Sequence, residues 1–136
     1  MGKRYDFFKQ ICNQYQYDYI ATAHHLNDDM ETSLFNWCNA NVLAGSTGIP
    51  YQRDNIVRPL LHVSKDDIYD FASTNSLPYR EDSSNSSTKY SRNKIRLKVI
   101  PVLKEINPSL EQTFSQFKEI NVLVYNYINS NYQDWM

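Results

Sequence analysis

The sequence contains few cysteines and few glycines, and it carries almost no net charge. Its two cysteines, Cys12 and Cys38, form no C-x-x-C pair, which argues against a disulfide framework and predicts a reducing compartment, the cytoplasm. Residues 1–9 lack the apolar core of a signal peptide, and no later apolar run is long enough to cross a bilayer, so we expect no contact with a membrane. The formal net charge of −1 identifies no partner by itself.

The composition that remains is typical of a globular domain. Hydrophobic residues make up 41% of the 136 positions and charged residues 21%. A chain of this size can bury a modest core without disulfides or metal, so we expect one domain.

The opening of the chain combines helical and extended patterns. Apolar residues recur at helical spacing from Tyr5 to Tyr15, and the run from Tyr17 to Ala23 is short and apolar, as in a buried strand. A second apolar stripe, from Met30 to Cys38, has spacings of i, i+4, i+7 and i+8 and predicts an amphipathic helix. We therefore expect one α–β–α step here.

The middle of the chain predicts one more extended segment and a helix. Pro59 lies within the extended run Ile56–Leu61 and disfavours an interior strand position, so an edge strand is expected. Ser64, with Asp67 three residues later, resembles a capping box that opens a helix ending before Pro78.

The last third is predicted to be helical apart from the polar surface loop Glu81–Ser87. Helical periodicity runs from Ile95 to Ile106 with a kink expected at Pro101, and Asn107 predicts the N-cap of a final amphipathic helix. One clear strand, one short edge strand at most and about five helices indicate the latter part of an α/β domain, because a parallel sheet needs neighbours and covered faces.

The segment from His24 to Thr32 joins the first strand to a helix, which is where ligands gather in open α/β sheets. Asp28 and Glu31 lie on one helical face and can together hold Mg²⁺ or the ammonium group of an amine. The alternative, at least as strong on spacing alone, is a simple helix start with Asn27 or Asp28 as the N-cap and Glu31 as its reciprocal partner.

A second candidate site is basic. Lys89, Arg92 and Arg96 fall on one helical face at i, i+3 and i+7, with no acidic residue between them. Such a stripe suits phosphate, although a solvated helix face is the commoner explanation of a charge run. Arg58, before a proline, would not be chosen as a functional residue unaided.

Several segments, taken in order, resemble the tRNA(Ile)-lysidine synthase family. They are Ile20–His25 with Asp28 and Glu31-Thr32, then Gly48–Pro50, Arg58–Leu61, Glu81–Asn85 and Tyr90–Arg96, within a similarity from about Arg4 to Pro108. The combination of A-H-H-x-x-D-x-x-E-T with D-x-S-N and R-N-x-I-R is highly specific, whereas each motif alone is weak.

This resemblance implies an N-type ATP pyrophosphatase with a Rossmann-like fold. Residues 1–107 would be the latter part of its catalytic domain, mostly helical with one or two strands, and residues 108–136 a helix leading to C-terminal domains. The family's enzymes are ligases that use ATP to adenylate the C2 carbonyl oxygen of the wobble cytidine in the CAU anticodon of tRNA(Ile). The side-chain amine of free lysine then displaces AMP. ATP and Mg²⁺ are the implied cofactors.

The resemblance also implies roles for individual residues. Asp28 and Glu31 would be catalytic and contact the lysine amine or Mg²⁺, with Asp28 as the metal ligand and His25 as their support. The residues that would bind tRNA or the adenylated intermediate are His24, Arg58, Asn85, Arg92, Asn93 and Arg96.

The sequence departs from the family pattern in three places. The ATP-cradling S-G-G-x-D-S loop is not found, Asn39–Val42 stands in place of R-G-[ST]-G, and Asn27-Asp28-Asp29 in place of D-D-Q. We therefore expect part of a synthase that is incomplete alone and is joined by the remainder of the enzyme or by a second copy.

Two other functions stay open. A degenerate tRNA-binding module would lose binding with Arg92→Ala and ignore Glu31→Ala. A different tRNA-modifying ATP pyrophosphatase, such as a thiolating enzyme, is disfavoured because neither Cys12 nor Cys38 is placed for chemistry.

Overall fold

The computed structural model describes residues 3–39, 43–80 and 91–134. The helices in these ranges are α1 (Lys3–Tyr15), α2 (Leu26–Cys38), α3 (Leu43–Ser46), α4 (Lys65–Thr74), α5 (Ser91–Lys94), α6 (Ile100–Ile106) and α7 (Leu110–Asp134). The strands are β1 (Ile20–Ala21), β2 (Gln52–Arg53) and β3 (Ile56–Val57), and a π-helical turn (Ile95–Val99) joins α5 to α6. None of these helices is both long and apolar enough to span a membrane.

The three strands form one small sheet in the order β1-β3-β2. β1 pairs with β3 in parallel, with Ile20 opposite Ile56, while β2 and β3 form an antiparallel hairpin. Its turn includes Asp54 at a φ of 54°, a conformation that aspartate tolerates better than most residues. The expected α/β, mostly helical architecture is confirmed.

Two details of the sheet differ from expectation. The prediction that the run after residue 55 is an edge strand is wrong, because β3 lies between β1 and β2. The strand β2 was missed because its two residues, Gln52 and Arg53, are polar and exposed and therefore show no strand pattern. Pro59 lies outside β3, so it does not interrupt the pairing.

The core is built where α2 meets the helices from the last third of the described chain. Met30, Ile95 and Ile100 are buried together, and Met30 is only 1% exposed. The partly buried side chains packed against them are Leu34, Phe35, Leu110 and Phe114. This packing places α2, which carries the acidic candidates, directly against the helix that carries the basic ones.

The irregularity expected at Pro101 takes the form of the π-helical turn just before it. The N–H of Ile100 donates to the carbonyl of Ile95, five residues earlier. Proline has no N–H and its ring clashes with the carbonyl four residues before it, so a wider turn relieves that clash without ending the helix.

Local capping signals were confirmed for α4 and only partly for α7. The Ser64 side chain accepts from the N–H of Asp67 at 3.1 Å, and α4 ends at Thr74, before Pro78 as predicted. The Asp67 carboxylate accepts from the Ser64 hydroxyl at 2.6 Å, so the N-cap is confirmed without the reciprocal backbone bond of a capping box. Asn107 instead ends α6, and α7 begins at Leu110. The Asn107 side chain accepts from the N–H of Ser109 at 3.0 Å, so it holds the turn between the two helices.

Candidate active site

The first turn of α2 is held by a capping box made of His25 and Asp28. His25 is the N-cap, and its Nδ1 accepts from the N–H of Asp28 at 3.3 Å. In return, Asp28 Oδ2 accepts from the N–H of His25 at 3.0 Å. The alternative with Asn27 or Asp28 as the N-cap is therefore wrong, because imidazole takes a role that propensities assign to shorter side chains.

The acidic and basic candidates meet in one ionic cluster. Arg96 Nε lies 2.6 Å from Glu31 Oε1 and its Nη2 lies 2.9 Å from Oε2, a two-pronged pair. The same Nη2 lies 3.4 Å from Asp28 Oδ1. The hydrogen bond to Glu31 raises the pKa of Arg96 further, so the guanidinium keeps its charge. Two residues of α2 and one from the π-helical turn thus form a single charged site.

The two side chains of this ion pair differ in their exposure to solvent. Glu31 is buried, with its side chain only 6% exposed, whereas the Arg96 side chain is 26% exposed. Two carboxylates facing one cation form a recess that suits a positively charged group. In the structure that group is the Arg96 guanidinium.

Burial lowers the pKa of His25 below its ordinary value of 6.5, although Asp28 and Glu31 nearby favour its charged form. The positive charges of Lys65 and Arg96 nearby also lower the pKa of His25. His25 is therefore neutral near pH 7, which agrees with its Nδ1 acting as the acceptor in the capping box.

This lowered pKa predicts a loss of stability in acid. The unfolded chain takes up a proton near 6.5, before the folded His25 does, so the stability present above that pH is lost as the pH falls through the folded pKa. We expect the melting temperature of the wild type to fall from about pH 7.5 to about pH 5.5 more than that of His25→Asn, which keeps a cap acceptor. Parallel melting curves for the two proteins would contradict this assignment.

A cavity of about 420 Å³ opens beside the carboxyl end of β1. Its lining residues are Tyr5, Phe8, Ala21, Thr22, Ala23, His24 and Asp28. The Nδ1 of His24 lies 2.9 Å from the Thr22 hydroxyl, so His24 faces this cavity from the strand end. The volume is within the range of small-molecule pockets, and Asp28 connects the cavity to the ionic cluster.

The remaining predicted residues lie in different surroundings. Arg92 is exposed, with its guanidinium 5.6 Å from the ring centre of Phe35, and Asn93 is half-buried on the same turn. Arg58 is buried and donates to the carbonyl of Pro50 at 2.7 Å. Part of its guanidinium thus holds the backbone of Pro50, and its expected binding role stays a prediction. Asn85 lies outside the described residues.

The sequence reading missed a buried ion pair directly behind the site. Asp29 is fully buried and pairs with Lys118 of α7, 89 residues away. Its Oδ1 accepts from the N–H of Ile49 at 2.5 Å, and Lys118 donates to the Ile49 carbonyl at 2.8 Å. Burial raises the pKa of Asp29, while Lys118 and Ile49 act in the opposite direction. No local pattern could have indicated a partner this distant.

Gly48 explains part of the Gly48–Pro50 segment noted in the sequence. Its φ is +67°, and a Cβ there would lie 2.1 Å from Asp29 Oδ1. Only glycine allows the backbone to approach the buried carboxylate this closely.

The cluster supplies two carboxylates, Asp28 and Glu31, as candidate ligands of a metal ion. Within the described ranges, no group of three or more His, Cys, Asp or Glu side chains is arranged to hold a metal. Magnesium bound through one or two carboxylates and the phosphates of a nucleotide does not need such a group, so Asp28 fits that mode of binding.

A parallel strand pair with polar side chains between the strand end and a helix start is typical of an α/β domain that binds its ligand at this edge of the sheet. The chain belongs to the PP-loop domain family, which matches residues 2–103. This finding confirms the Rossmann-like fold class expected from the sequence.

The chain is also similar to curated enzymes named tRNA(Ile)-lysidine synthase. It is 40% identical over 117 residues to that of Porphyromonas gingivalis strain W83, covering 85% of this chain and 26% of the relative. Identity is 42% over 116 residues for Thermosipho africanus, with shares of 85% and 27%, and 38% over 122 residues for Francisella philomiragia, with 87% and 30%. The chain thus spans less than a third of the length of these relatives, and the predicted resemblance is confirmed.

Proposed function

We propose that this chain is part of a cytoplasmic tRNA(Ile)-lysidine synthase, a ligase that uses ATP to join lysine to the wobble cytidine of the CAU anticodon. The observation that carries the proposal is the cluster of Asp28, Glu31 and Arg96 beside the cavity at the end of β1. Membership of the PP-loop domain family supports the use of ATP. The names of the relatives support tRNA(Ile) as the substrate.

The cluster suits the attack of an amine. Asp28 and Glu31 would bind the ammonium group of free lysine in place of the Arg96 guanidinium. A carboxylate within hydrogen-bond distance can accept the proton that the ammonium must lose before its nitrogen can attack. The displaced Arg96 would then face the phosphate of the adenylated intermediate and stabilise negative charge that develops there.

The other components would lie around this centre. Asp28 at the rim of the cavity would hold Mg²⁺ together with the phosphates of ATP, and the ion would neutralise phosphate charge. Arg92 and Asn93, on the outer side of the cluster, would contact tRNA, and His24 would contact the nucleotide or the modified base. The S-G-G-x-D-S loop is not among these 136 residues, so the remainder of the enzyme would supply it.

The decisive experiment measures incorporation of labelled lysine into tRNA(Ile) with a CAU anticodon by the complete protein, with ATP and magnesium. Asp28→Asn keeps an oxygen that can accept from the N–H of His25 but removes the negative charge. We expect incorporation to fall by at least about a hundredfold. The matched control is Asp67→Asn, which changes the same residue type at the same third position of α4 and should leave incorporation unchanged.

The other outcomes separate the candidate functions. No incorporation by the wild type would reject the proposed ligase. If that protein still bound tRNA with a salt dependence that Arg92→Ala reduces, the tRNA-binding module would be the better description. Incorporation that survives Asp28→Asn would remove Asp28 from the mechanism.

A further inference from the structure

The two residues that flank Asp28 are both bound to α7. On one side, Asn27 Nδ2 donates to Glu111 Oε1 at 3.3 Å. On the other side, the buried carboxylate of Asp29 pairs with Lys118. Glu111 and Lys118 are seven residues apart and therefore lie on the same face of α7, two turns from each other.

The Asn27 contact depends on the chemistry of both partners. Burial acts to raise the pKa of Glu111, but hydrogen bonds from Lys104 and Asn27 outweigh it, so the pKa is lowered and Glu111 remains a carboxylate. Lys104 Nζ lies 2.5 Å from that carboxylate. The residue at 27 must therefore donate, and its Oδ1 must also accept from the N–H of Lys65 at 2.8 Å. An asparagine side chain meets both requirements, whereas an aspartate would face Glu111 with a second negative charge.

The Asp29 contact holds the other side of the same turn. Its carboxylate is bound by Lys118 and by the backbone of Ile49, and it has no exposed surface. Asp28 itself is bound only to His25 and Arg96 among the described residues, and neither belongs to α7. His25 and Arg96 therefore hold its carboxylate, while the contacts of Asn27 and Asp29 with α7 fix the backbone of the turn that carries it.

We infer that Glu111 and Lys118 are positioning residues for the active site. The α7 clamp, formed by Asn27, Asp29, Glu111 and Lys118, sets the angle of the first turn of α2 and so aims the carboxylate of Asp28 at the incoming amine. This inference rests on the proposed function only in taking Asp28 as the group that binds the amine.

Packing allows the clamp to be tested without losing the fold. Leu110 and Phe114 of α7 lie against the buried cluster of Met30, Ile95 and Ile100, so α7 stays docked when one polar contact is removed. Loss of the Asn27–Glu111 contact should therefore affect the geometry of the site more than the overall stability of the protein.

The test compares three variants of the complete protein. Asn27→Asp places two carboxylates against each other, and we expect KM for lysine to rise about tenfold while KM for tRNA stays unchanged, because a small misplacement of a reacting group is costly. In the double variant Asn27→Asp with Glu111→Gln, the new amide at position 111 can donate to the new carboxylate at position 27. Donor and acceptor are exchanged but the hydrogen bond is restored, so KM should return to near the wild-type value. Glu119→Gln, an exposed change on the same helix, is the matched control.

Amide hydrogen exchange at Asp28 and Asp29 supplies a second measurement that needs no ligase activity. Exchange should become faster in Asn27→Asp and slower again in the double variant. Glu111→Ala, which removes the acceptor without adding charge, should also speed exchange and replaces Asn27→Asp if that variant does not fold.

These outcomes separate the inference from the proposed function. A wild type that ligates lysine, combined with unchanged KM and unchanged exchange in the variants, would overturn the clamp alone. A rise in KM that Glu111→Gln fails to reverse would also overturn it. Exchange that follows the expected pattern in a protein that ligates no lysine would support the clamp and reject the ligase.

Discussion

Arg96→Leu is expected to destabilise the protein by about 3–5 kcal/mol, because it leaves the buried Glu31 carboxylate without its two-pronged partner. Glu31→Gln should cost less, about 1–2 kcal/mol, since the partly exposed Arg96 can turn to Asp28 and to solvent. Urea unfolding at neutral pH measures both changes as free energies of unfolding. Arg96→Leu should cost more than Glu31→Gln because Glu31 is the buried partner of the pair.

The control for this pair is the double variant Arg96→Leu with Glu31→Gln. It should recover part of the loss, because no uncompensated charge remains buried. Arg92→Leu, an exposed arginine one turn away, should cost no more than about 1 kcal/mol, the value of a cation–π contact with Phe35. Equal losses for Arg96→Leu and Arg92→Leu would show that the ionic cluster does not contribute to stability as described.

Lys118→Met should have an effect of similar size at the other buried ion pair, about 3–5 kcal/mol at neutral pH. Asp29 has no exposed surface, and Lys118 is its only cationic partner among the described residues. Thermal and urea unfolding both measure the loss. Asp29→Asn in the Lys118→Met background should recover stability, because an amide can still accept from the Ile49 N–H and donate to the Ile49 carbonyl.

The Lys118→Met deficit is also expected to depend on pH. The folded pKa of Asp29 is raised by burial above its ordinary value of 3.8, and removing Lys118 raises it further. A raised carboxyl pKa contributes stability below the unfolded pKa that is lost as pH rises through the folded pKa. The difference between variant and wild type should therefore shrink as the pH is lowered. A deficit that is constant with pH would mean that Asp29 is already neutral in the wild type.

These two ion pairs have different relations to function. The Arg96 pair lies at the proposed reaction centre, where its arginine would exchange carboxylates for phosphate during turnover. The Lys118 pair is held by hydrogen bonds of both side chains to the backbone of Ile49, and the proposed reaction requires no such exchange from it. Loss of Arg96 should therefore affect both stability and lysine ligation, whereas loss of Lys118 acts on ligation only through the position of Asp28.

Some features of the molecule followed from the sequence by itself, because neighbouring residues decide them. The helix α2, the Ser64 cap of α4 and the irregularity before Pro101 each depend on residues within a few positions of one another. The placing of Asp28 and Glu31 on one helical face has the same origin. The predicted apolar stripe of α2 is buried at Met30 but not at its end, where Trp37 and Cys38 are exposed. The family resemblance came from the order of the sequence motifs, which hydrophobic periodicity does not show.

The tertiary structure decided the rest. The strand β2 exists because β3 offers it a partner, since its own two residues carry no strand signal. Arg96 meets Glu31 across 65 residues, and Lys118 meets Asp29 across 89. Charges of opposite sign occur throughout the sequence, and the packing of the helices determines which of them become buried partners. Ile95 and Ile100 bring Arg96 to α2, and Leu110 and Phe114 bring α7 with Lys118 to it. The candidate residues were therefore readable from the sequence, while their pairing into one site required the fold.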